Sequence, residues 1–295
     1  MPGPGLQTMK NLIVRTVSGI VFLLVMLTAL LLGNIVDCGK YFFALGMLFA
    51  LIVMMHEFYR MRMDQIYKIP RAVAITGSCW MFLVTFFVQS YEQASGRFII
   101  LAFIPVFILM INALLVKDKS EFGKFADIYT GILYIAVPWT LLNFTVFSHN
   151  KFDGLPLLCL FILIWCSDVG AYVFGSTLGQ KYGPKLCPSI SPKKSWIGFW
   201  GGFAVAVGTG VAMHYIPCLP FHDYCIWHCV AISVIVNVCG VCGDLIESQW
   251  KRVANIKDSG TIIPGHGGML DRFDSALMAI PAATVYMMCF GLISF

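Results

Sequence analysis

The sequence contains apolar runs that are as long as membrane-spanning helices. Residues 12–32 and 98–116 are two of these runs, and a helix needs about 20 mainly apolar residues to cross a hydrocarbon core. Charged residues make up only 12% of the chain, against about 25% in soluble globular proteins. Period-2 strands and amphipathic stripes, which a soluble core would require, do not dominate. We therefore expect an all-α, polytopic integral membrane protein.

Nine transmembrane helices are predicted from the alternation of apolar runs and polar breaks. They are centred within residues 11–33, 41–55, 72–90, 98–116, 125–147, 155–175, 197–217, 225–243 and 275–295. The second run is shorter than the usual minimum of about 17 residues, so hydropathy alone leaves a re-entrant segment open. No internal repeat or linker divides the chain. Residues 1–295 are predicted to form one membrane domain, with N-terminal helices in 1–150 and a catalytic half in 151–295.

Charge placement predicts the topology. If all nine helices cross, only Lys40, Arg97 and Lys151 of the 20 lysines and arginines lie on one side. Because positive charge concentrates in cytoplasmic loops, the N-terminus is predicted to be cytoplasmic. Two longer polar segments, 176–196 and 244–274, lie on the basic side and are the expected location of chemistry.

Neither the net charge nor the cysteines indicate another class of site. The net charge is +5, but the basic residues sit in short loops beside the spans, which disfavours nucleic-acid binding. The 11 cysteines are scattered without the spacing of a zinc site or a disulfide framework. Cys218 and Cys225 flank a short loop and could pair only if that loop faced an oxidising compartment.

The eighth apolar run continues into polar residues that share a helical periodicity. Asp244, Glu247, Ser248 and Lys251 are spaced at i, i+3, i+4 and i+7, so a continuous helix would place them on one face. The Glu247/Lys251 pair is interpreted as an ordinary ion pair at a solvated helix end, with a contribution of about 0.2–0.5 kcal/mol.

Residues 263–268 form a glycine-rich segment, followed by two aspartates. Its three glycines permit positive φ and close approach of N–H groups to an anion, although a tight turn without a ligand remains open. A single acid in a first helical turn would merely complement the helix dipole. Clustering of both signs of charge instead indicates Mg²⁺ with a polyphosphate. The clustered residues are Asp244, Lys251, Arg252, Lys257, Asp258, Asp271, Arg272 and Asp274.

Three segments of this region together resemble a family signature. They are Ser-Gln-Trp-Lys-Arg at 248–252, Lys-Asp-Ser-Gly at 257–260, and Pro-Gly-His-Gly-Gly-Met-Leu-Asp-Arg-Phe-Asp at 264–274. At these spacings they resemble the phosphatidate cytidylyltransferase (CDP-diacylglycerol synthase) family. Trp250 departs from the aliphatic residue or Phe that is usual there, which affects local packing and leaves the polar pattern intact.

Two upstream segments, 167–179 and 191–198, resemble the family less closely and in the same order. Ser195 stands where Thr is common, and Ile197 stands where an acidic or amide residue is usual, so residue 197 cannot supply a ligand. The resemblance extends over roughly 165–275, whereas residues 1–150 agree only in the alternation of spans.

The resemblance implies a reaction in which CTP and phosphatidate give CDP-diacylglycerol and pyrophosphate. It implies catalytic roles for Asp244, Lys251, Asp271 and Arg272, and Mg²⁺ ligands from Asp244, Asp271 and Asp274, with room for a second cation. His266 is expected to shape the loop. Substrate-binding roles are implied for Asp168, Ser191, Lys193, Lys194, Ser248, Arg252, Lys257, Asp258, Gly265, His266, Gly267 and Gly268.

Asp168 is also notable on physical grounds. It lies in an apolar run, where a central carboxylate costs about 2.5–3.5 kcal/mol on insertion scales, so it should face a wet cavity or a partner. The alternative is a helix-packing hydrogen bond, for which Ser167 is an equally good candidate. His56, Glu57 and His214 are interpreted as interfacial or packing groups.

Two other functions remain open. A CTP-dependent polyprenol or lipid-alcohol kinase would use similar helices and the same nucleotide, and a cation-coupled transporter would use the acids as cation sites. A CDP-alcohol phosphotransferase is disfavoured because its aspartate spacing is absent. The predicted partners are CTP, phosphatidate and membrane lipid. A homodimer is compatible with the sequence, and binding of nucleic acid is not expected. The predicted location is a bacterial inner membrane, with the site facing the cytoplasm.

Overall fold

The computed structural model describes residues 4–62, 68–114 and 125–293. The topology prediction used Lys117, Lys119 and Lys124, which lie outside these ranges. The direction in which the chain crosses the membrane stays a prediction.

The first half of the chain consists of long helices joined by short turns. Its continuous helices are α1 (Pro4–Ile35), α2 (Gly39–Arg62) and α3 (Lys68–Ser90), and a 3-10 segment (Gly96–Phe103) continues into α4 (Ile104–Ala113). The second predicted span, the shortest by hydropathy, is a complete helix of 24 residues. A re-entrant segment is thereby excluded at this position.

The fifth predicted span is interrupted. It comprises α5 (Phe125–Gly131), a π-helical turn (Ile132–Ala136), α6 (Val137–Thr140) and α7 (Leu142–Val146). Pro138 lies in the first turn of α6, where its missing N–H disrupts the regular hydrogen-bond pattern of the preceding helix. The short antiparallel strands β1 (Phe147–Ser148) and β2 (Lys151–Phe152) follow.

The second half contains the polar segments. Its elements are α8 (Leu155–Phe174), a π-helical turn (Gly175–Gly179), α9 (Gln180–Tyr182), β3 (Lys185–Cys187), β4 (Ser191–Ser195), α10 (Trp196–His214), a 3-10 turn (Pro220–His222), α11 (Ile226–Val253), α12 (Leu270–Phe273) and α13 (Ala276–Cys289). Strands β3 and β4 pair antiparallel. The predicted loop 176–196 is thus a folded hairpin beside α10.

An all-α polytopic membrane fold is confirmed. Eight helices in the described residues are long and apolar enough to cross a membrane, and they coincide with the first eight predicted spans. The ninth prediction coincides with α13, which has only 14 residues and contains Pro281. Large apolar side chains such as Val17 and Leu24 are more than half exposed on α1, as expected for a surface that faces lipid. Cys218 and Cys225 are exposed free thiols.

An aromatic cluster joins the two halves at the start of the last helices. The ring of Phe273 lies 5.7 Å from Phe22, 4.8 Å from Trp139 and 6.1 Å from Phe161, measured between centroids. Phe273 is 2% exposed. Because Phe273 lies between the aspartates at 271 and 274, its burial fixes the position of both acids relative to α1, α6 and α8.

Candidate active site

The segment between α11 and α12 folds around the carboxylate of Asp271. Oδ2 accepts hydrogen bonds from the Ser259 N–H (2.9 Å), the Ser259 hydroxyl (2.9 Å) and the Gly268 N–H (2.8 Å). Oδ1 accepts one from Lys251 Nζ at 2.8 Å. Burial raises the pKa of Asp271, but the hydrogen bonds from Lys251 and Gly268 outweigh it and hold the pKa below its usual range. An ionised Asp271 therefore fastens this segment to α11.

Glu57 of α2 holds the same segment from the N-terminal half of the chain. Its carboxylate accepts hydrogen bonds from the N–H groups of Met269 (3.1 Å) and Leu270 (2.9 Å) and from the Ser259 hydroxyl (3.2 Å). The first N–H groups of a helix have no partner within it, so Glu57 satisfies those at the start of α12. It is 5% exposed.

Of the two interpretations of Glu57, as an interfacial or a packing group, the structure supports packing, because the buried carboxylate joins α2 to the start of α12. Glu57 is a carboxylate near the end of an apolar run, which is the same signal that singled out Asp168. Applied consistently, the cost of burying such a charge would have predicted a partner for Glu57 as well. Its neighbour His56 is exposed.

One face of α11 carries the predicted polar groups. The Ser248 hydroxyl donates to Asp244 Oδ1 at 3.2 Å, and Lys251 forms an ion pair with Glu247. The shared face is thus confirmed. The solvated environment predicted for Glu247 was wrong, because its side chain is 0% exposed. Within the described ranges, no hydrogen-bond donor other than Lys251 reaches it, and Lys251 contacts two acids at once, Glu247 and Asp271.

The glycine loop, residues 263–268, is closed by its own backbone. The Ile263 N–H donates to the Gly267 carbonyl at 3.1 Å. Gly265 and Gly267 have φ angles of 76° and 85°, which disfavour any residue with a Cβ atom. The loop therefore requires glycine at both positions for its geometry alone.

Helix α1 anchors the glycine loop through Ser18. The Ser18 hydroxyl lies 2.9 Å from the Pro264 carbonyl, to which it donates, and 2.9 Å from His266 Nδ1. The sequence analysis gave Ser18 no role, and an isolated serine in a long apolar helix offers no signal that would assign one. These contacts agree with the expectation that His266 shapes the loop.

A cavity of about 560 Å³ lies between α8, the β3–β4 hairpin, α10 and α11. We call it the α8–α11 cavity. Its polar lining consists of Asp168, Ser176, Gln180, Lys193, Lys194, Ser195, Asp244 and the hydroxyl-bearing Tyr172. Lys194 Nζ lies 2.6 Å from Asp244 Oδ2. The two regions that resemble the family, far apart in sequence, therefore meet across this cavity.

Asp168 and Ser167 have separate roles. Asp168 lines the α8–α11 cavity, as expected for a carboxylate within an apolar run. Ser167 is buried and donates to Asn237 Oδ1 of α11 at 2.8 Å. The helix-packing hydrogen bond therefore belongs to Ser167, and Asp168 faces the cavity.

Asp274 lies in a region with excess negative charge. Burial and the neighbouring charges of Asp244 and Asp168 raise the pKa of Asp274 to about 7. The N–H of Ser275 donates to its Oδ1 at 2.6 Å and opposes this rise. The three carboxylates are thus close enough to influence one another, and a bound cation would relieve their repulsion.

The remaining predicted residues surround this region. Arg252 Nε donates to the Ile190 carbonyl at 3.1 Å, which ties α11 to the turn of the β3–β4 hairpin. Gln180 donates to the Lys193 carbonyl at 2.6 Å and was not predicted. Ser191 is half-buried on β4. The side chains of Lys193, Arg252, Lys257, Asp258 and Arg272 are exposed.

Metal binding by protein side chains alone finds no support in the described part of the chain. No group of three or more His, Cys, Asp and Glu side chains is arranged there to hold an ion. Asp244 is engaged by Lys194, and Asp271 by Lys251. A cation at this site would therefore take the rest of its ligands from a substrate or from water.

Comparison with known proteins agrees with the geometry. Residues 13–290 match the cytidylyltransferase family. The chain belongs to this family. It is 31% identical over 274 residues to the phosphatidate cytidylyltransferase of Staphylococcus haemolyticus, with 92% of this chain and 97% of that protein covered. The proteins of the same name from Staphylococcus epidermidis and Staphylococcus aureus are each 30% identical over the same shares of the two chains.

Family membership extends the earlier resemblance to the whole chain. The resemblance was carried by roughly residues 165–275, whereas the match begins at residue 13. Helices α1 and α2 are therefore part of the shared architecture, in agreement with the contacts of Ser18 and Glu57 to the glycine loop and α12.

Proposed function

We propose that this membrane cytidylyltransferase uses CTP and phosphatidate to produce CDP-diacylglycerol and pyrophosphate. The observation that carries the proposal is the Lys194–Asp244 contact of 2.6 Å, which joins the hairpin to α11 at the cavity. Cations and carboxylates from both motif regions converge there, as polyphosphate chemistry requires. The relatives named phosphatidate cytidylyltransferase identify the two substrates.

The reaction requires little acid–base chemistry. A phosphate monoester with a second pKa of about 6 is already an anionic nucleophile near neutral pH. Its oxygen forms a bond to the α-phosphorus of CTP while the bond from that phosphorus to the bridging oxygen breaks, and pyrophosphate leaves with that electron pair. The protein must reduce the repulsion between two polyanions and align them in line.

The lysines and arginines supply this neutralisation. Lys193 and Lys194 on the hairpin face the α8–α11 cavity, and exposed Arg272 and Lys257 lie on the adjoining segment. Lys251 is held between Glu247 and Asp271, so it positions α12 in the resting protein. We assign Lys194 and Arg272 to substrate phosphates and Lys251 to the control of Asp271.

The donor set fits Mg²⁺. Mg²⁺ in proteins commonly binds one or two carboxylates together with substrate phosphates and water, which agrees with a cluster that lacks a complete set of protein ligands. Asp244 and Asp274 are the favoured ligands because their charges interact, whereas Asp271 would have to exchange hydrogen bonds. When bound, Mg²⁺ would offset the charge on the leaving pyrophosphate. A second cation is compatible with the same carboxylates.

The cellular setting follows from the same premises. The relatives are bacterial, and the basic residues cluster on the side to which the glycine loop is assigned. We place the protein in the bacterial inner membrane with this side in the cytoplasm, where CTP is available. We include a homodimer in this proposal.

The position of the label after reaction tests the proposal. Purified protein in detergent micelles with phosphatidate is given CTP labelled either at the α-phosphate or at the γ-phosphate, with Mg²⁺ or with a chelator. We expect lipid to acquire the α-label only, and only with Mg²⁺. Lipid that acquires the γ-label would indicate a lipid kinase instead.

A matched pair of variants tests the assigned residue. Asp244→Asn should lose Mg²⁺-dependent turnover, because it removes the charge at the cavity. Glu92→Gln changes an exposed carboxylate on the connection after α3 and should retain it. Turnover by folded Asp244→Asn at the wild-type rate would remove Asp244 from the site. Activity without any ion gradient would also argue against transport as the main function.

A further inference from the structure

A second, apolar groove begins beneath the glycine loop. It has a volume of about 330 Å³ and lies between α1, α2 and the segment that carries the glycine loop. We call it the α1–α2 groove. On α1 it extends from Ser18 to Ala29, on α2 it includes Gly46 and Phe49, and it is closed above by Pro264. Apart from Ser18, its lining consists only of apolar residues and glycine.

The dimensions of the groove match one leaflet of a bilayer. Ser18 and Ala29 are eleven positions apart on the helix, and at 1.5 Å per residue this corresponds to about 16 Å. The hydrocarbon core of a bilayer is about 30 Å thick, so the groove extends to about its midplane. An acyl chain of a lipid in one leaflet has the same reach.

The groove is open to the side. Val21, Val25 and Phe49 line it and are each about half exposed, at 54%, 50% and 55%. These residues are at depths where the outer surface of the protein faces lipid. A chain could therefore enter from the bilayer without passing through water.

A cation lies at the polar end of the groove. A Cβ atom added to Gly265 would be 2.6 Å from Cγ of Arg15, so the Arg15 side chain lies against the glycine loop one turn above Ser18. Arg15 is exposed, and none of the ion pairs formed among the described residues involves it. Among the described residues this guanidinium has no carboxylate partner, and an exposed guanidinium beside the glycine loop is suited to a phosphate.

We infer that the α1–α2 groove holds an acyl chain of the phospholipid substrate while Arg15 binds its phosphate headgroup. This inference rests on the proposed function and specifies how the lipid is bound. Phe273 and Met269 form part of the groove wall, and Asp271 and Asp274 flank Phe273 in sequence. The lipid phosphate would thus approach α12 from the α1 side, and CTP would approach it from the α8–α11 cavity.

Binding can be tested without turnover. Full-length protein in micelles is irradiated with phosphatidate that carries a photoreactive group at the end of one acyl chain, in the absence of CTP. We expect the label in peptides that contain Val25 to Ala29 or Gly46 to Ala50. Label confined to other helices would overturn the inference. Failure of the proposed reaction would appear separately, as a wild-type protein that binds lipid but does not incorporate cytidine.

Two tryptophan variants test the groove. Val25→Trp should fill it and raise the apparent KM for long-chain phosphatidate several-fold, with the KM for CTP unchanged. Leu24→Trp is the matched control, because Leu24 is 57% exposed on the same helix and does not line the groove. Both positions are exposed, so both proteins should fold. Equal KM values for lipid in the two variants would refute the binding of an acyl chain in the groove. A change in oligomeric state in Val25→Trp alone would also refute it, since a second copy of the chain would then occupy the groove.

Arginine variants test the headgroup contact. Arg15→Gln should raise the KM for long-chain and short-chain phosphatidate alike by about tenfold, the loss expected for one charge-assisted hydrogen bond. Arg15→Lys should restore part of the affinity. Arg60→Gln removes an exposed charge near the end of α2 and controls for general attraction to anionic micelles. Equal effects of Arg15→Gln and Arg60→Gln would remove Arg15 from the lipid site.

Discussion

Glu57→Ala should loosen the segment that carries Asp271 while leaving most of the fold intact. The substitution removes the acceptor for the N–H groups of Met269 and Leu270 and for the hydroxyl of Ser259. Hydrogen bonds to a charged group contribute about 1.5–3 kcal/mol each. The two backbone bonds alone therefore amount to about 3–6 kcal/mol, and the buried donors would be left without a partner.

This loss is large for a local structure. Whole proteins are stable by only about 5–15 kcal/mol, and segments can open with much smaller free energies than the global value. The eight long helices do not depend on Glu57, so we expect the segment from Ser259 to Leu270 to open before the helices separate. Since Asp271 would lose its fixed position, turnover should fall by at least two orders of magnitude.

Hydrogen exchange and CTP turnover on the same preparation measure this effect. Amides between 259 and 270 should exchange faster in Glu57→Ala, whereas those of α8 and α10 should keep their protection. Glu57→Gln keeps the shape and one acceptor oxygen and should be intermediate. His56→Ala, one residue away at an exposed position, should match the wild type. Normal exchange of this segment together with normal turnover in Glu57→Ala would refute the reasoning.

Three further predictions concern the same region. Lys251→Met should lower the thermal unfolding midpoint strongly, because Glu247 and Asp271 both lose their cationic partner. Breaking a buried ion pair costs about 3–5 kcal/mol. An unchanged midpoint would contradict the assignment of Lys251. Gly267→Ala should reduce turnover more than stability, because φ at this position is 85° and the added Cβ would lie 2.9 Å from Asp271 Oδ2. Turnover and the thermal unfolding midpoint, measured on the same protein, should therefore show a large loss of turnover and a smaller loss of stability. Burial and nearby carboxylates raise the pKa of Asp274 from 3.8 to about 7 in the folded protein. Because the folded protein holds this proton more tightly than the unfolded chain, Asp274 contributes most to stability below pH 3.8, and this contribution is lost as the pH rises to about 7. Asp274→Asn should lack this part of the pH dependence of thermal unfolding between pH 5 and 7, and Mg²⁺ should reduce it in the wild type; parallel curves for the two proteins would exclude the effect.

The membrane fold could be predicted because hydropathy over a long window depends little on tertiary context. Eight spans coincide with predicted runs, and the short second run is a full helix because its polar end, including Glu57, is still helical. The fifth span differs in its interior. A π-helical turn and Pro138 interrupt it, and local backbone irregularities of this kind are set by packing against other helices.

The polar partners within the site were harder to predict. The sequence placed Asp244, Ser248 and Lys251 on one face of a helix, since 3.6 residues per turn determine that relation. It could not indicate that Lys251 would pair with Asp271 or Lys194 with Asp244, because those contacts depend on how separate helices pack. The partners of Ser18 and Glu57 could not be predicted for the same reason, since they are more than 200 residues away in sequence.

The pairing of charges in the resting site has a consequence for how substrates bind. Lys194 is paired with Asp244, and Lys251 with Glu247 and Asp271, so neither lysine is left as an unpaired cation in a membrane protein, where an unpaired charge is costly. A phosphate that binds Lys194 leaves Asp244 without a cationic partner. A divalent ion that binds Asp244 leaves Lys194 without an anionic partner. When both bind together, Lys194 and Asp244 each keep a partner of opposite charge. Nucleotide and metal ion should therefore bind interdependently, and the apparent affinity for each should rise when the other is present.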